Sequence, residues 1–228
     1  MSSLAVGFLV LCGEQSYVAE RERMVREQIE RRGVSNPDVL RVLRATPRHL
    51  FVPEGLRPYA YSDQALPIDF GQSISQPYIV ALMTELLDPS KSDMVLEVGT
   101  GSGYQAAVLA QLAQHVYTVE IVAELAKSAA ERLAKLGYRN ITVRQGDGYK
   151  GWPEEAPFER IMLTAAPSDI PQVLLDQLRG GGRLVAPVGG SPWTQELVVI
   201  EKTTGGDIRR RSVAPVAFVP MVREPRNN

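Results

Sequence analysis

From Met94 onward the chain alternates short apolar runs with stretches of helical periodicity, and no other feature restricts its fold as much. Strands are expected over Met94–Val98, Val116–Val119, Ile141–Arg144 and Arg160–Thr164. Helices are expected over Tyr104–Leu112 and Ala123–Leu136, and over Pro171–Leu178, which the Gly180-Gly181-Gly182 run should stop. Parallel neighbours need long crossovers, so the pattern implies a parallel sheet covered on both faces, with a ligand at the carboxyl ends of its strands. Leu184–Val188, Glu196–Glu201 and Arg209–Val219 then follow without helices between them, and Gly205-Gly206-Asp207 suits a hairpin turn. The expected fold class is α/β: a Rossmann-like, doubly wound, mostly parallel sheet with an antiparallel C-terminal edge and N-terminal helices.

Ahead of this alternation, Val18, Met24, Val25 and Ile29 recur at helical spacing between Tyr17 and Arg32, and Gly33 stands where a helix would end. Asn36-Pro37-Asp38 restarts the chain with a cap, a proline at the first helical position and an acid in the first turn. Thr46–Gly71 holds too many large apolar side chains for a flexible linker and reads as an ordered loop wrapped over something. Another helix is marked by Ile79, Val80, Met83, Leu86 and Leu87 after Pro77, ending at Asp88-Pro89. A length of 228 residues suits a single domain. Within it, residues 1–16 are a poorly specified extension, 17–92 a helical and loop cap over the active site, and 93–221 the cofactor-binding core.

With 25 basic and 26 acidic side chains the formal net charge is -1, so non-specific binding to nucleic acid is not expected. The single cysteine, Cys12, excludes an internal disulfide framework and a multi-cysteine zinc site, as in a protein of a reducing compartment. A cytoplasmic monomer without a metal is expected. Leu4–Cys12 is apolar, but at about nine residues it is far too short to span a bilayer, and it lacks a preceding basic residue and a cleavage signal. Neither membrane association nor secretion is expected.

Candidate chemistry begins at Val95–Tyr104, V-L-E-V-G-T-G-S-G-Y. Gly99, Gly101 and Gly103, with Thr100 and Ser102 between them, sit where a strand turns into a helix, and glycine lets backbone approach a ligand closely. Glu120 ends the next strand, roughly 20 residues on, where a carboxylate normally holds ribose hydroxyls. Together these point to an adenosine-type ligand. A dinucleotide fingerprint would need its third glycine at Tyr104, whereas here it comes at Gly103. Glu97, two residues before the first glycine, favours S-adenosylmethionine, whose ammonium group a dinucleotide lacks. Gly146-Asp147-Gly148 follows the third strand; its carboxylate suits an adenine amino group and its glycines a flat base, although such a tripeptide alone is often only a turn.

Further motifs carry a resemblance. Pro47-Arg48-x-x-Phe51-Val52-Pro53, Gly71-Gln72-Ser73-Ile74-Ser75-Gln76-Pro77, Val95–Tyr104, Gly146-Asp147-Gly148 and Val216-x-Phe218-Val219-Pro220 together resemble the protein-L-isoaspartate O-methyltransferases, from about Val18 to Met221. The resemblance implies methyl transfer from S-adenosylmethionine to the free α-carboxylate of isoaspartyl residues in damaged proteins and peptides, leaving S-adenosyl-L-homocysteine. The ester would collapse to a succinimide whose hydrolysis regenerates some aspartate. It further implies that Ser75 is the active-site serine with Ser73 and Ile74 beside it. Glu97, Gly99, Gly101, Gly103, Glu120, Asp147 and Gly148 would form the cofactor pocket, and Thr164, Ala165, Ala166 and Val216–Phe218 would border the substrate peptide. An exchange of the last strands is also implied.

Such a reaction needs no general base, because a carboxyl of pKa about 4 is already ionised at pH 7. His49, in the wrapping loop, and His115, between apolar neighbours in a strand, are therefore not expected to act as bases. Ser75 could also simply cap the helix ahead of Pro77. A methyltransferase acting on a flipped base would be expected to place Asn/Asp-Pro-Pro-aromatic after the fourth strand, where this chain has Thr164-Ala165-Ala166-Pro167. A small rim of that kind suits an extended peptide.

Overall fold

The computed structural model describes residues 17–223, so Leu4–Cys12 falls outside the described residues. Two short strands, β1 (Leu66–Pro67) and β2 (Ser73–Ile74), precede β3 (Met94–Val98), β4 (His115–Glu120), β5 (Ile141–Gln145), β6 (Phe158–Leu163), β7 (Leu178–Val188), β8 (Gln195–Lys202) and β9 (Ile208–Val216). The main sheet runs β5-β4-β3-β6-β7-β8-β9. Neighbours from β5 to β7 are parallel, whereas β7-β8 and β8-β9 are antiparallel hairpin pairs. The last three strands thus lie side by side in chain order, and the Thr203–Asp207 turn joins β8 to β9. β3 lies between β4 and β6, and the direction of winding reverses there, which opens a crevice beyond the carboxyl end of β3.

Side-chain parity along the strands divides the core between the two faces. Val95, Met162, Val185 and Val199 join one apolar cluster with the N-terminal helices, while Leu96, Ile161, Leu184 and Val198 join another with Trp152 and Leu174. Central strands buried on both faces explain their unbroken apolar runs. Residues 17–24 are helical (α1), followed by a π-helical turn over Val25–Ile29 and a 3-10 turn over Glu30–Arg32 that ends at Gly33 with φ 96°. Asn36 caps α2 (Pro37–Ala45) by accepting from the Asp38 and Val39 N–H groups at 3.0 and 3.2 Å. α3 (Pro77–Leu87), α4 (Tyr104–Ala110), α5 (Ala123–Lys135) and α6 (Gln172–Gln177) complete the helices. Among the described residues no helix is long and apolar enough to cross a membrane.

Several expected boundaries move. The Gly180–Gly182 run does not follow α6 but lies inside β7, where the β6-β7 register shifts. A Cβ on Gly182 would stand 2.7 and 2.9 Å from the carbonyls of Arg179 and Glu159, so these glycines serve close strand approach rather than helix termination. β9 ends at Val216 instead of Val219, and α4 ends at Ala110 instead of Leu112. The Thr46–Gly71 loop is ordered in 3-10 turns over Arg48–Phe51, Glu54–Tyr59 and Asp69–Gly71. Its unexpected part is a short ladder in which β1 (Leu66–Pro67) pairs with β2 (Ser73–Ile74). Phe51 packs edge-on against Tyr104, and the fully buried Arg48 donates through Nε to the Ala60 carbonyl at 2.8 Å, so the loop is wrapped over α4.

Candidate active site

At the carboxyl end of β3 the chain turns through Gly99, Gly101 and Gly103 with φ of 102°, 51° and 86°, values that side-chain-bearing residues rarely adopt. A Cβ on Gly99 would collide with the Thr164 hydroxyl, which donates to the Gly99 carbonyl at 2.5 Å. The Gly99 N–H donates to the Val119 carbonyl at 2.8 Å, so the loop is fastened to the ends of both neighbouring strands. Glu120 closes it: Oε2 accepts from the Gly101 N–H at 2.8 Å and Oε1 from the Val122 N–H at 3.1 Å. A carboxylate has about four acceptor positions, so both oxygens retain capacity for hydroxyl groups of a ligand in the cleft that Glu120 lines.

Glu97 is placed differently from expectation. It pairs across the ladder with Thr118, whose hydroxyl donates to Glu97 Oε2 at 2.6 Å and lies 2.7 Å from the Thr100 hydroxyl. It is fully buried and does not reach the cleft wall, because the next residue, Val98, takes that position. Burial pushes its carboxyl up to about 8, with the Thr118 hydrogen bond opposing and the Glu120 charge adding. Among the described residues Oε1 has no hydrogen-bond partner. Burial thus favours the neutral form of Glu97 beneath the glycine loop over a ready-made countercharge.

Gly148 reaches the cleft wall and Asp147 lies just behind it. Asp147 caps the 3-10 turn Gly148–Lys150, its Oδ1 accepting from the Tyr149 N–H at 2.9 Å. A Cβ on Gly148 would collide with Val98 and lie 3.2 Å from Met221 Cε, so only glycine leaves this part of the cradle open.

Gly71–Ser75 form another part of the wall. The β1-β2 ladder holds Ser73 and Ile74, and Ser75 follows half-buried. Gln76, not Ser75, occupies the cap position of α3 and makes no side-chain capping bond there. Ser75 is consequently not consumed as a cap. Thr164 and Ala165, just after β6, form a third side. Ala166 lies behind them and pins the C-terminal segment: its N–H donates to the Val219 carbonyl at 2.9 Å and its carbonyl accepts from the Met221 N–H at 2.8 Å.

Val216 and Phe218, expected at the substrate border, pack against the larger core cluster instead. The wall is made by Val219–Val222. The ladder stops at the Gln195–Val216 pair because the Gln195 side chain replaces it, accepting from the Phe218 N–H at 2.6 Å and donating to the Phe218 carbonyl at 3.1 Å. Gly71, Gln72, Val219 and Pro220 stand inside the quoted motifs but receive no site role from the sequence, and Ile121, Val122, Met221 and Val222 carry no signal beyond adjacency to a motif or a strand end. Both histidines are elsewhere: His49 Nδ1 lies 2.7 Å from the Tyr61 hydroxyl under a stacked Tyr17, and His115 Nε2 lies 2.8 Å from the Thr142 hydroxyl. Neither lines the cleft.

Residues 19–226 match the family model of protein-L-isoaspartate (D-aspartate) O-methyltransferases. The chain belongs to that family. A protein-L-isoaspartate O-methyltransferase of Synechococcus sp. is 54% identical over 212 residues, covering 90% of this chain and 86% of the relative. A second, protein-L-isoaspartate O-methyltransferase 2 of Syntrophobacter fumaroxidans, is 51% identical over 228 residues, covering 96% and 92%. Among solved structures, a Plasmodium falciparum protein described as a protein-L-isoaspartate O-methyltransferase, in complex with S-adenosyl-L-homocysteine, shares the fold. Its TM-score is 0.77 at 24% identity, covering 90% of this chain and 99% of that one.

Proposed function

We infer that the chain is an S-adenosylmethionine-dependent protein carboxyl O-methyltransferase, acting on the free α-carboxylate of L-isoaspartyl residues in damaged proteins and peptides and so starting their repair to aspartate. The observation that carries this reading is that Ser73–Ser75 and Gly99–Ser102, about 25 residues apart in the chain, line one cleft in a member of this family. When bound, S-adenosylmethionine supplies an electrophilic methyl carbon on a sulfonium. The residues fit such a group: Gly101 and Gly148 leave room for it, and Glu120 offers carboxylate oxygens to hydroxyls.

On this reading Ser75, which lines the cleft, hydrogen-bonds the acceptor carboxylate and aims it, while Thr164 and Ala165 with Val219 and Pro220 form a small rim along which a peptide backbone can lie. No histidine is required, since the acceptor is ionised without help. Catalysis then rests on alignment and water exclusion rather than proton transfer. The same reading takes the enzyme as a cytoplasmic monomer that uses neither metal nor nucleic acid.

The test supplies methyl-labelled S-adenosylmethionine with matched peptides differing only in isoaspartate or aspartate, and measures base-labile methyl ester. Ester is expected on the isoaspartyl peptide alone. Equal labelling of both peptides, or cofactor binding without labelling of either, would overturn the assignment.

A further inference from the structure

Residues 219–222 form a wall that serves two parts of the cleft. At one end Val219 and Pro220 stand beside Thr164 and Ala165, on the side proposed for the acceptor; at the other, Met221 Cε approaches Gly148, on the side proposed for adenine. This segment has left the sheet, so its position depends on what fastens it. Ala166 holds the middle, through Val219 and Met221. Gln195, 3% exposed, holds the near end by matching both main-chain polar groups of Phe218, at 2.6 and 3.1 Å. Tyr149 holds the far end, its hydroxyl donating to the Met221 carbonyl at 3.1 Å, and the Arg223 guanidinium stacks 4.0 Å over the Tyr149 ring.

We propose that Gln195 and Tyr149, neither of which lines the cleft, are positioning residues that divide control of this shared wall: Gln195 sets the fit of the acceptor peptide and Tyr149 the fit of the cofactor. The proposal rests on the reading of the cleft given above. Its physical basis is that a partly buried main-chain N–H or carbonyl left without its partner recruits water or shifts, and the shift is largest next to the lost clamp. Loss at Phe218 is felt at Val219 and the acceptor rim, because Met221 remains held by Tyr149 and Ala166. Loss at Met221 is felt beside Gly148, because Phe218 remains held by Gln195.

Two variants test this in the full chain. Gln195→Leu is expected to raise KM for an isoaspartyl peptide about tenfold while the Kd for S-adenosyl-L-homocysteine by calorimetry changes less than about threefold. Tyr149→Phe is expected to show the converse, a Kd raised about three- to tenfold with the peptide KM at saturating cofactor little changed. Should Gln195→Leu not fold, Gln195→Glu keeps an acceptor for the Phe218 N–H and sets a carboxylate against its carbonyl, and carries the same expectation. Parallel changes in both constants for either variant, or no change in the constant assigned to it, would overturn the division. Failure of the wild-type chain to esterify isoaspartyl peptide would instead strike the functional reading, and the calorimetric response of Tyr149→Phe would still report on its clamp.

Discussion

Glu97 shows how a motif residue can be read correctly in identity and wrongly in direction. Its place before Gly99 suggested a carboxylate facing a cation, but pairing with Thr118 puts it under the loop, where burial lifts its pKa to about 8. Below about pH 4.5 the folded and unfolded chains both hold this proton. Above that only the unfolded chain releases it, so the group makes stability fall as pH rises, until about pH 8. Glu97→Gln removes the titration. Thermal unfolding without ligand should therefore show the variant gaining on wild type from pH 5 to pH 8, and an identical pH slope in both would mean that Glu97 is ionised in the fold. A second pair separates binding from turnover. Asp147→Asn keeps an oxygen for the Tyr149 N–H and so preserves the turn, yet should weaken cofactor binding; Ser75→Ala should mainly lower kcat. Calorimetry and steady-state kinetics giving the reverse pattern would exchange the two roles.

At the scale of elements, local chemistry was legible where it is self-contained. Asn36-Pro37-Asp38 caps α2 and Gly33 closes the preceding turn, because capping needs only residues within a few positions. Asn36→Ala should accordingly destabilise the fold by about 1 kcal/mol, a few degrees in Tm, with methyl transfer by the folded enzyme unchanged, whereas Asn36→Asp should retain the cap. Thermal melts beside activity assays check this, and an unshifted Tm for the alanine variant would show the cap to be idle. What escaped local reading were elements defined by partners distant in sequence. The Gly180–Gly182 run looked like a helix stop, but the carbonyls of Glu159 and Arg179 make it a strand crossing. Leu66–Pro67 carries no strand signal of its own and is a strand only because Ser73–Ile74 returns beside it. β9 stops three residues short of the end of its strand-like run at Val219 because the side chain of Gln195, on another strand, substitutes for the ladder.

For the whole molecule, the strand-helix alternation determined the architecture, since apolar runs of this length can be satisfied only inside a parallel sheet covered on both faces. The glycine spacing and Glu120 determined where the glycine loop lies and which acid closes it, because both follow from chain order at the end of β3 and β4. The S-I-S block could be identified as a motif, but not as a wall of the same cleft. Only the tertiary structure decided that, by folding the Thr46–Gly71 wrap over α4 and clamping Ser73–Ile74 to Leu66–Pro67. It also decided that Glu97 points beneath the loop, and that Val219–Val222 rather than Val216–Phe218 borders the cleft. The physical reason is the same in each case: local pattern fixes the conformation of a segment and the parity of its faces, while the position of a cleft wall depends on hydrogen bonds to residues tens of positions away.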